Sequence, residues 1–128
     1  MKVSDLCDII KAQVVCGCDR LDMEIHSACG SDLMSDVLAF VKDQGILLTG
    51  LVNQQVIRTA EMMDIHVVIF VRGKRPDADM VTFAESRQVV LMCTDYPMYT
   101  ACGKLYAAGL SGGERLPADA GTAECAPR

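Results

Sequence analysis

The chain has 128 residues, no tryptophan, and only three phenylalanines and three tyrosines. Its core must therefore be filled by Val, Ile and Leu, supplemented by eight methionines and seven cysteines, which are adaptable packing residues. No apolar run is long enough to span a bilayer. The opening Met1-Lys2-Val3-Ser4-Asp5 carries no signal-peptide hydrophobic region, so a cytoplasmic location with reduced cysteines is expected. Positive charge is scarce as well. The net charge is −5 and the basic residues are scattered, apart from Arg72-Gly73-Lys74-Arg75. Nucleic acid and acidic membranes are thereby disfavoured as partners. Neither a GxGxxG motif nor a P-loop is present. The two histidines, His26 and His66, have no Ser or Cys beside them in a nucleophile motif. No catalysis and no cofactor are expected.

A chain of this length fits one domain that buries about two thirds of its unfolded surface, so neither disulfide nor metal is needed for stability. Three short apolar runs organise it: Ile46-Leu47-Leu48-Thr49-Gly50, Val67-Val68-Ile69-Phe70-Val71-Arg72-Gly73 and Val89-Val90-Leu91-Met92-Cys93-Thr94. Runs this apolar, alternating with amphipathic helices, indicate parallel strands covered on both faces. The expected fold is α/β, a three-layer α/β/α sandwich with a mostly parallel sheet.

Ser4 is the expected cap of a first helix with Leu6, Ile9 and Ile10 as its apolar stripe. Val14-Val15-Cys16 reads as a strand broken at Gly17, and Met23, Ile25 and Ser27 alternate with Glu24 and His26 as a second strand with one wet face. Ser31 is expected to cap a helix whose buried stripe is Leu33, Met34, Val37, Leu38 and Val41, with Asp32, Ser35, Asp36 and Lys42 on its polar side and Gly45 as its stop. Asn53 caps the next helix, with Val56, Ile57, Ala60 and Met63 inward. Pro76-Asp77 opens another, with Met80, Val81, Phe83 and Ala84 apolar, and Asp95-Tyr96-Pro97 starts a last helix through Met98, Cys102 and Leu105. Residues 1–110 make one domain. From 111 to 128 the composition turns to Gly, Ala, Asp, Pro and Thr, and a disordered tail is expected.

Ligands of such sheets bind at the carboxyl ends of the strands, which selects three loops. The turn Thr49-Gly50-Leu51-Val52-Asn53 offers backbone N–H groups, the Thr49 hydroxyl and close approach at Gly50 to a phosphate or carboxylate. The alternative is a plain strand–helix connection. Arg72-Gly73-Lys74-Arg75 suits a polyanion such as a nucleotide phosphate chain, or is a solvated charge run. Thr94-Asp95 is placed to contact a ribose or a base. Cys16-Gly17-Cys18 with Cys29 is an alternative zinc or iron–sulfur set, although its Cys-x-Cys spacing is not the paired Cys-x-x-Cys of zinc ribbons. Cys7, Cys93 and Cys102 fall on apolar positions and read as core. Asp32 and Asp36, one helical turn apart, are a cation pair or a solvated face.

The element order, the apolar strand ending in Thr49-Gly50, the helix Gln55-Val56-Ile57-Arg58-Thr59-Ala60-Glu61 and the strand ending at Gly73 together resemble the DRTGG domain. That domain occurs in some phosphotransacetylases and regulated family II pyrophosphatases, and is similar in fold to the N-terminal domain of HPr kinase/phosphorylase. Ser31-Asp32-Leu33-Met34-Ser35-Asp36-Val37-Leu38-Ala39 resembles its stand-alone branch, associated with anaerobic bacteria and iron hydrogenase components. The resemblance covers roughly Val3 to Leu110. Of the family's Gly-Asp-Arg, falling on Gly50-Leu51-Val52, only the glycine is kept. The Thr-Gly-Gly falls near Val71-Arg72-Gly73, again with one match. The resemblance implies a non-catalytic regulatory domain, dimeric, binding an adenine nucleotide, since in the pyrophosphatases the domain dimerises and helps bind diadenosine polyphosphates. Two rival readings stand beside it. One is a protein–protein adaptor or assembly factor for a redox complex, motivated by Met- and Cys-rich helices. The other is a zinc or cluster carrier on Cys16, Cys18 and Cys29.

Overall fold

Ile46–Thr49, Val67–Phe70 and Val90–Cys93 are buried at every position. Strands without a wet face need cover on both sides, and the rest of the chain supplies it. The computed structural model describes residues 1–40 and 45–113. In chain order the elements are α1 (Val3–Ile9), β1 (Gln13–Cys16), a 3-10 turn (Cys18–Arg20), β2 (Ala28–Gly30), α2 (Met34–Phe40), β3 (Ile46–Thr49), α3 (Gln54–Met62), β4 (Val67–Phe70), α4 (Ala78–Ser86), β5 (Val90–Cys93) and α5 (Met98–Ala107). The five strands form one sheet in the order β1-β5-β4-β3-β2. Strands β2 to β5 run parallel and β1 joins β5 antiparallel, with a register irregularity between Val14 and Cys16.

Alternation along each strand divides the core in two. Ile46, Leu48, Val67, Ile69, Val90 and Met92 face one side, where α1 and α5 add Val3, Leu6, Ala101 and Leu105. Leu47, Val68, Phe70, Leu91 and Cys93 face the other, against Val37 of α2, Val56, Ile57 and Ala60 of α3, and Met80 and Ala84 of α4. The expected three-layer α/β/α sandwich with a mostly parallel sheet is the fold observed.

Several local expectations are corrected. The cap of α1 is Lys2, not Ser4, because Asp5 Oδ2 accepts the Lys2 N–H at 2.8 Å. The second strand is Ala28–Gly30 rather than Met23–Ser27. The alternation at 23–27 is real, but that segment pairs with the N-terminus: Val3 N–H donates to Met23 O at 3.0 Å and Ile25 N–H to Met1 O at 2.7 Å. In α2, Met34 and Val37 are buried, whereas Leu33 and Leu38 are 57% and 38% exposed. Met34 and Val37 set the inner face of the helix, Leu33 precedes its first residue, and Leu38 lies about 100° round from Val37. Ser31 Oγ accepts the Leu33 N–H at 3.1 Å upstream of that helix. The expected continuation through Val41 and Lys42 and the tail from 114 onward lie outside the described residues. Ser111 still belongs to the body, bridging Ser27, with Ala28 N–H donating to Ser111 O at 2.9 Å.

Helices α3, α4 and α5 end alike. Asp64, Gln88 and Gly109 adopt φ of 54°, 58° and 106°. The next residue, Ile65, Val89 or Leu110, is buried and returns its N–H to Ala60, Ala84 or Leu105 at 2.8, 2.9 and 3.0 Å. This is the Schellman arrangement, in which glycine is favoured at the left-handed position. Two of the three sites carry a non-glycine. Gln88→Gly is expected to raise stability by about 1 kcal/mol and Gly109→Ala to lower it by about 1 kcal/mol. Urea midpoints at unchanged m-value check both.

Candidate functional site

Strands β2 to β5 point the same way, so their carboxyl ends form one crest. The chain leaving β4 turns to α4 on one face of the sheet, and the chain leaving β5 turns to α5 on the other. Neighbouring strands whose connections diverge in this way mark the crevice where open α/β sheets bind ligands. Arg72–Arg75 and Thr94–Asp95 flank that point of divergence.

The loop after β4 is a tight turn. Lys74 N–H donates to Val71 O at 3.1 Å, and both central residues have positive φ, 57° at Arg72 and 70° at Gly73, as a type I′ turn requires. A non-glycine there costs roughly 1–2 kcal/mol. Two bonds across the crevice hold it, Arg72 N–H to Tyr96 O at 2.9 Å and Gly73 N–H to Thr94 O at 3.0 Å. The side chains of Arg72, Lys74 and Arg75 are exposed. Arg75 Nη2 donates to Gln13 Oε1 at 2.6 Å, and among the described residues Lys74 has no ion-pair partner. Asp95 is exposed beside Gly73.

The turn after β3 already holds an oxyanion. Asp32 Oδ1 accepts the Gly50 N–H at 2.7 Å and the Thr49 hydroxyl at 3.1 Å. Its other oxygen lies 3.8 Å from Arg72 Nη2. The guanidinium covers Gly50 so closely that a Cβ there would collide with Arg72 Nη2. Asp32 is therefore not on the helix beside Asp36, as its spacing suggested. It sits at the carboxyl end of β2 with its carboxylate on the neighbouring turn. The sequence signal for it was an acid directly after Gly30-Ser31 at a strand end, which the helical pattern of 33–41 concealed.

Two expected ligand groups are committed to the fold. Thr94 Oγ1 donates to Ile10 O at 2.6 Å in a buried position and accepts the Tyr96 N–H at 3.3 Å. Asn53 Oδ1 accepts the Val56 N–H at 3.3 Å as the cap of α3. Thr94→Val, nearly equal in volume, is expected to leave a buried carbonyl unpaired and destabilise the chain by about 1–3 kcal/mol. Chemical denaturation of that variant measures the loss.

Cys16, Cys18 and Cys29 do not converge. Cys16 is on β1 and Cys29 on β2, at opposite edges of the sheet, four strand spacings or about 19 Å apart. No group of metal-ligating side chains occurs among the described residues. Cys16 and Cys93 are buried and Cys18 is exposed. A cavity of about 220 Å³ opens along the β2 edge, lined by Cys29, Gly30, Leu48, Cys102, Leu105 and Leu110 among others. Burial first, and the nearby Cys102 second, push the Cys29 thiol up from 9.0 to about 11. The native state thus holds this proton more tightly than the unfolded chain, so its contribution is complete below pH 9.0 and lost as pH rises toward about 11. A Cys29→Ser variant should show a shallower fall in melting temperature over that alkaline range than the unaltered chain.

The family model described as the DRTGG domain matches residues 5–108. No curated protein matches the chain. Among solved structures, the chain is similar to one described as the CBS and DRTGG domains of the regulatory region of Clostridium perfringens pyrophosphatase, complexed with activator, diadenosine tetraphosphate. The TM-score is 0.67 at 12% identity, over 81% of this chain and 45% of that one. The chain spans less than half of that structure, and at this identity the likeness is one of fold. No described helix is long and apolar enough to cross a membrane.

Proposed function

The chain belongs to the DRTGG domain family, and from that premise we propose that it is a non-catalytic regulatory domain binding a small anionic ligand at the carboxyl ends of β3, β4 and β5. The observation that carries this reading is the turn after β4. It lifts Arg72 and Lys74 out of the sheet at the point where the connections diverge, with Arg75 next to them. Cations held on a short, hydrogen-bonded turn suit a phosphate chain better than cations on a long loop, because less order is lost on binding. An adenine nucleotide is the favoured ligand. The pyrophosphatase regulatory region of similar fold is complexed with diadenosine tetraphosphate, and a polyphosphate is the kind of anion that suits cations spread along one crest, with Arg72 toward β3 and Arg75 toward β1. Thr49, Gly50, Gly73 and Asp95 line the same crest. Thr94 and Asn53 contribute by holding its backbone.

Association of two copies is part of this reading. Tyr99 is 90% exposed and Tyr106 58%, seven residues apart on one helical face of α5, with the exposed Gly103 between them. The same face favours a second reading, an adaptor for a partner protein such as a redox enzyme. Exposed tyrosines are enriched where proteins meet.

The test is a thermal-shift and calorimetric comparison of the chain with an Arg72→Ala/Lys74→Ala variant against ATP, ADP, AMP and diadenosine tetraphosphate. A ligand at a hundred times its dissociation constant should raise stability by about 2.7 kcal/mol. The double variant should bind at least about tenfold more weakly. Equal affinity in the variant overturns the site. No shift with any nucleotide, together with a partner that co-purifies and is lost on Tyr99→Ala/Tyr106→Ala, favours the adaptor.

A further inference from the structure

Asp32 sits within the crest, its carboxylate on the turn after β3. Two donors from the β3 turn, the Thr49 hydroxyl and the Gly50 N–H, converge on its Oδ1 at 3.1 and 2.7 Å. Arg72 Nη2 approaches its Oδ2 at 3.8 Å. A backbone N–H, a hydroxyl and a guanidinium closing on one carboxylate are the groups that receive a phosphoryl oxygen at strand ends. The acid is not there for lack of water. The side chains of Asp32 and Arg72 are 54% and 53% exposed, so neither charge needs the other to satisfy burial, and an exposed pair of this kind contributes little to stability. The nearest support of the pair is nonetheless built around it. The Arg72 guanidinium lies over Gly50, and the Arg72 backbone is held at φ 57° by the turn after β4.

We propose that Asp32 is a built-in competitor at the ligand site. Its carboxylate occupies the oxyanion seat of Thr49, Gly50 and Arg72 in the free chain, and a phosphoryl group binds by displacing it. The inference rests on the crest being the ligand site and adds its regulation. Occupancy of the seat lowers the affinity for every anion. Displacement reaches the β2–α2 connection, because Asp32 lies two residues ahead of α2, while the Ser31 N–H bond to Leu48 O at 3.0 Å keeps the start of that connection on β3. The exposed Leu33 and Leu38 ride on that connection and helix. The seat takes a terminal or bridging phosphoryl oxygen, and Lys74, which has no ion-pair partner among the described residues, is left for the rest of a polyphosphate.

The experiment is calorimetric titration of inorganic pyrophosphate into the unaltered chain, Asp32→Asn, Asp32→Asn/Thr49→Val and Asp95→Asn. Asp32→Asn keeps the size of the side chain and removes the charge that competes. It should bind pyrophosphate at least about tenfold more tightly than the unaltered chain. Thr49→Val should cancel that gain by removing a donor of the seat. Asp95→Asn removes a crest charge outside the seat and should gain less than Asp32→Asn. Equal or weaker binding by Asp32→Asn overturns the proposal, as does a gain that survives Thr49→Val or is matched by Asp95→Asn, and so does failure of every protein to bind. Amide resonances of the unaltered chain give a second readout that needs no variant. Pyrophosphate must move Gly50 and Leu33 together, and movement of Gly50 alone counts against displacement. Nucleotide binding that depends on Arg72 and Lys74 but ignores Asp32→Asn leaves the site reading intact and removes Asp32 from it. A pyrophosphate gain in Asp32→Asn with no nucleotide bound by any protein keeps the competitor and overturns the nucleotide reading.

Discussion

The rest of the structure depends on three adjacent strands with no polar face. β3, β4 and β5 are buried throughout, and the rows Ile46–Val67–Val90 and Leu47–Val68–Leu91 run across them in register. Apolar area removed from water on both sides is worth about 25 cal/mol per Å², and realising it requires helices on both faces. Once the faces are covered, polar chemistry is restricted to the two ends of the strands. At the amino ends the chain closes helices with left-handed caps at Asp64 and Gln88. At the carboxyl ends it gathers Asp32, Thr49, Gly50, Arg72, Lys74 and Asp95.

That gathering divides into groups that hold the backbone and groups that face water. Thr94 ties the crest to the residue after α1 through Ile10 O, Asn53 starts α3, and Gly73 N–H closes the gap between the two diverging connections. Arg72, Lys74 and Asp95 are left exposed. A hydroxyl buried against a carbonyl cannot be given up without leaving that carbonyl unpaired. Thr94 therefore holds the backbone of the crest, and the charged side chains of Arg72, Lys74 and Asp95 project beyond it. The Asp32–Arg72 pair lies between these two classes, hydrogen-bonded to the turn yet open to solvent.

The cysteines follow the same division by place in the sheet. Cys16 on β1 and Cys29 on β2 occupy its two edges, while Cys93 lies on β5, next to β1, and packs inward. Burial raises the thiols of Cys16, Cys29, Cys93 and Cys102, which keeps them in the protonated, weakly nucleophilic form near neutral pH. In a chain without tryptophan they fill space that larger side chains fill elsewhere.

The long-period signals were legible in the chain itself. Runs of three to five apolar β-branched and aliphatic residues and the helical spacing of Val56, Ile57 and Ala60 are local patterns, and they determined the α/β class, the parallel sheet and the strand-end loops. The four-residue β1 was legible too, through Val14-Val15-Cys16, but short elements poor in apolar residues were not. Ala28–Gly30 has no strand signature because its pairing is imposed by Ile46–Leu48 beside it, and α2 begins only at Met34, leaving Leu33 before it and exposed. The pairing partners of polar groups were equally hidden. Asp32 meets Thr49 and Gly50 at separations of 17 and 18 residues, and Thr94 meets Ile10 at 84. The sequence determined which loops lie at the strand ends, because burial depends on local composition and period. Only the tertiary structure decided which of their side chains are free, because a hydrogen bond across the sheet depends on strand order, and strand order is a property of the whole chain.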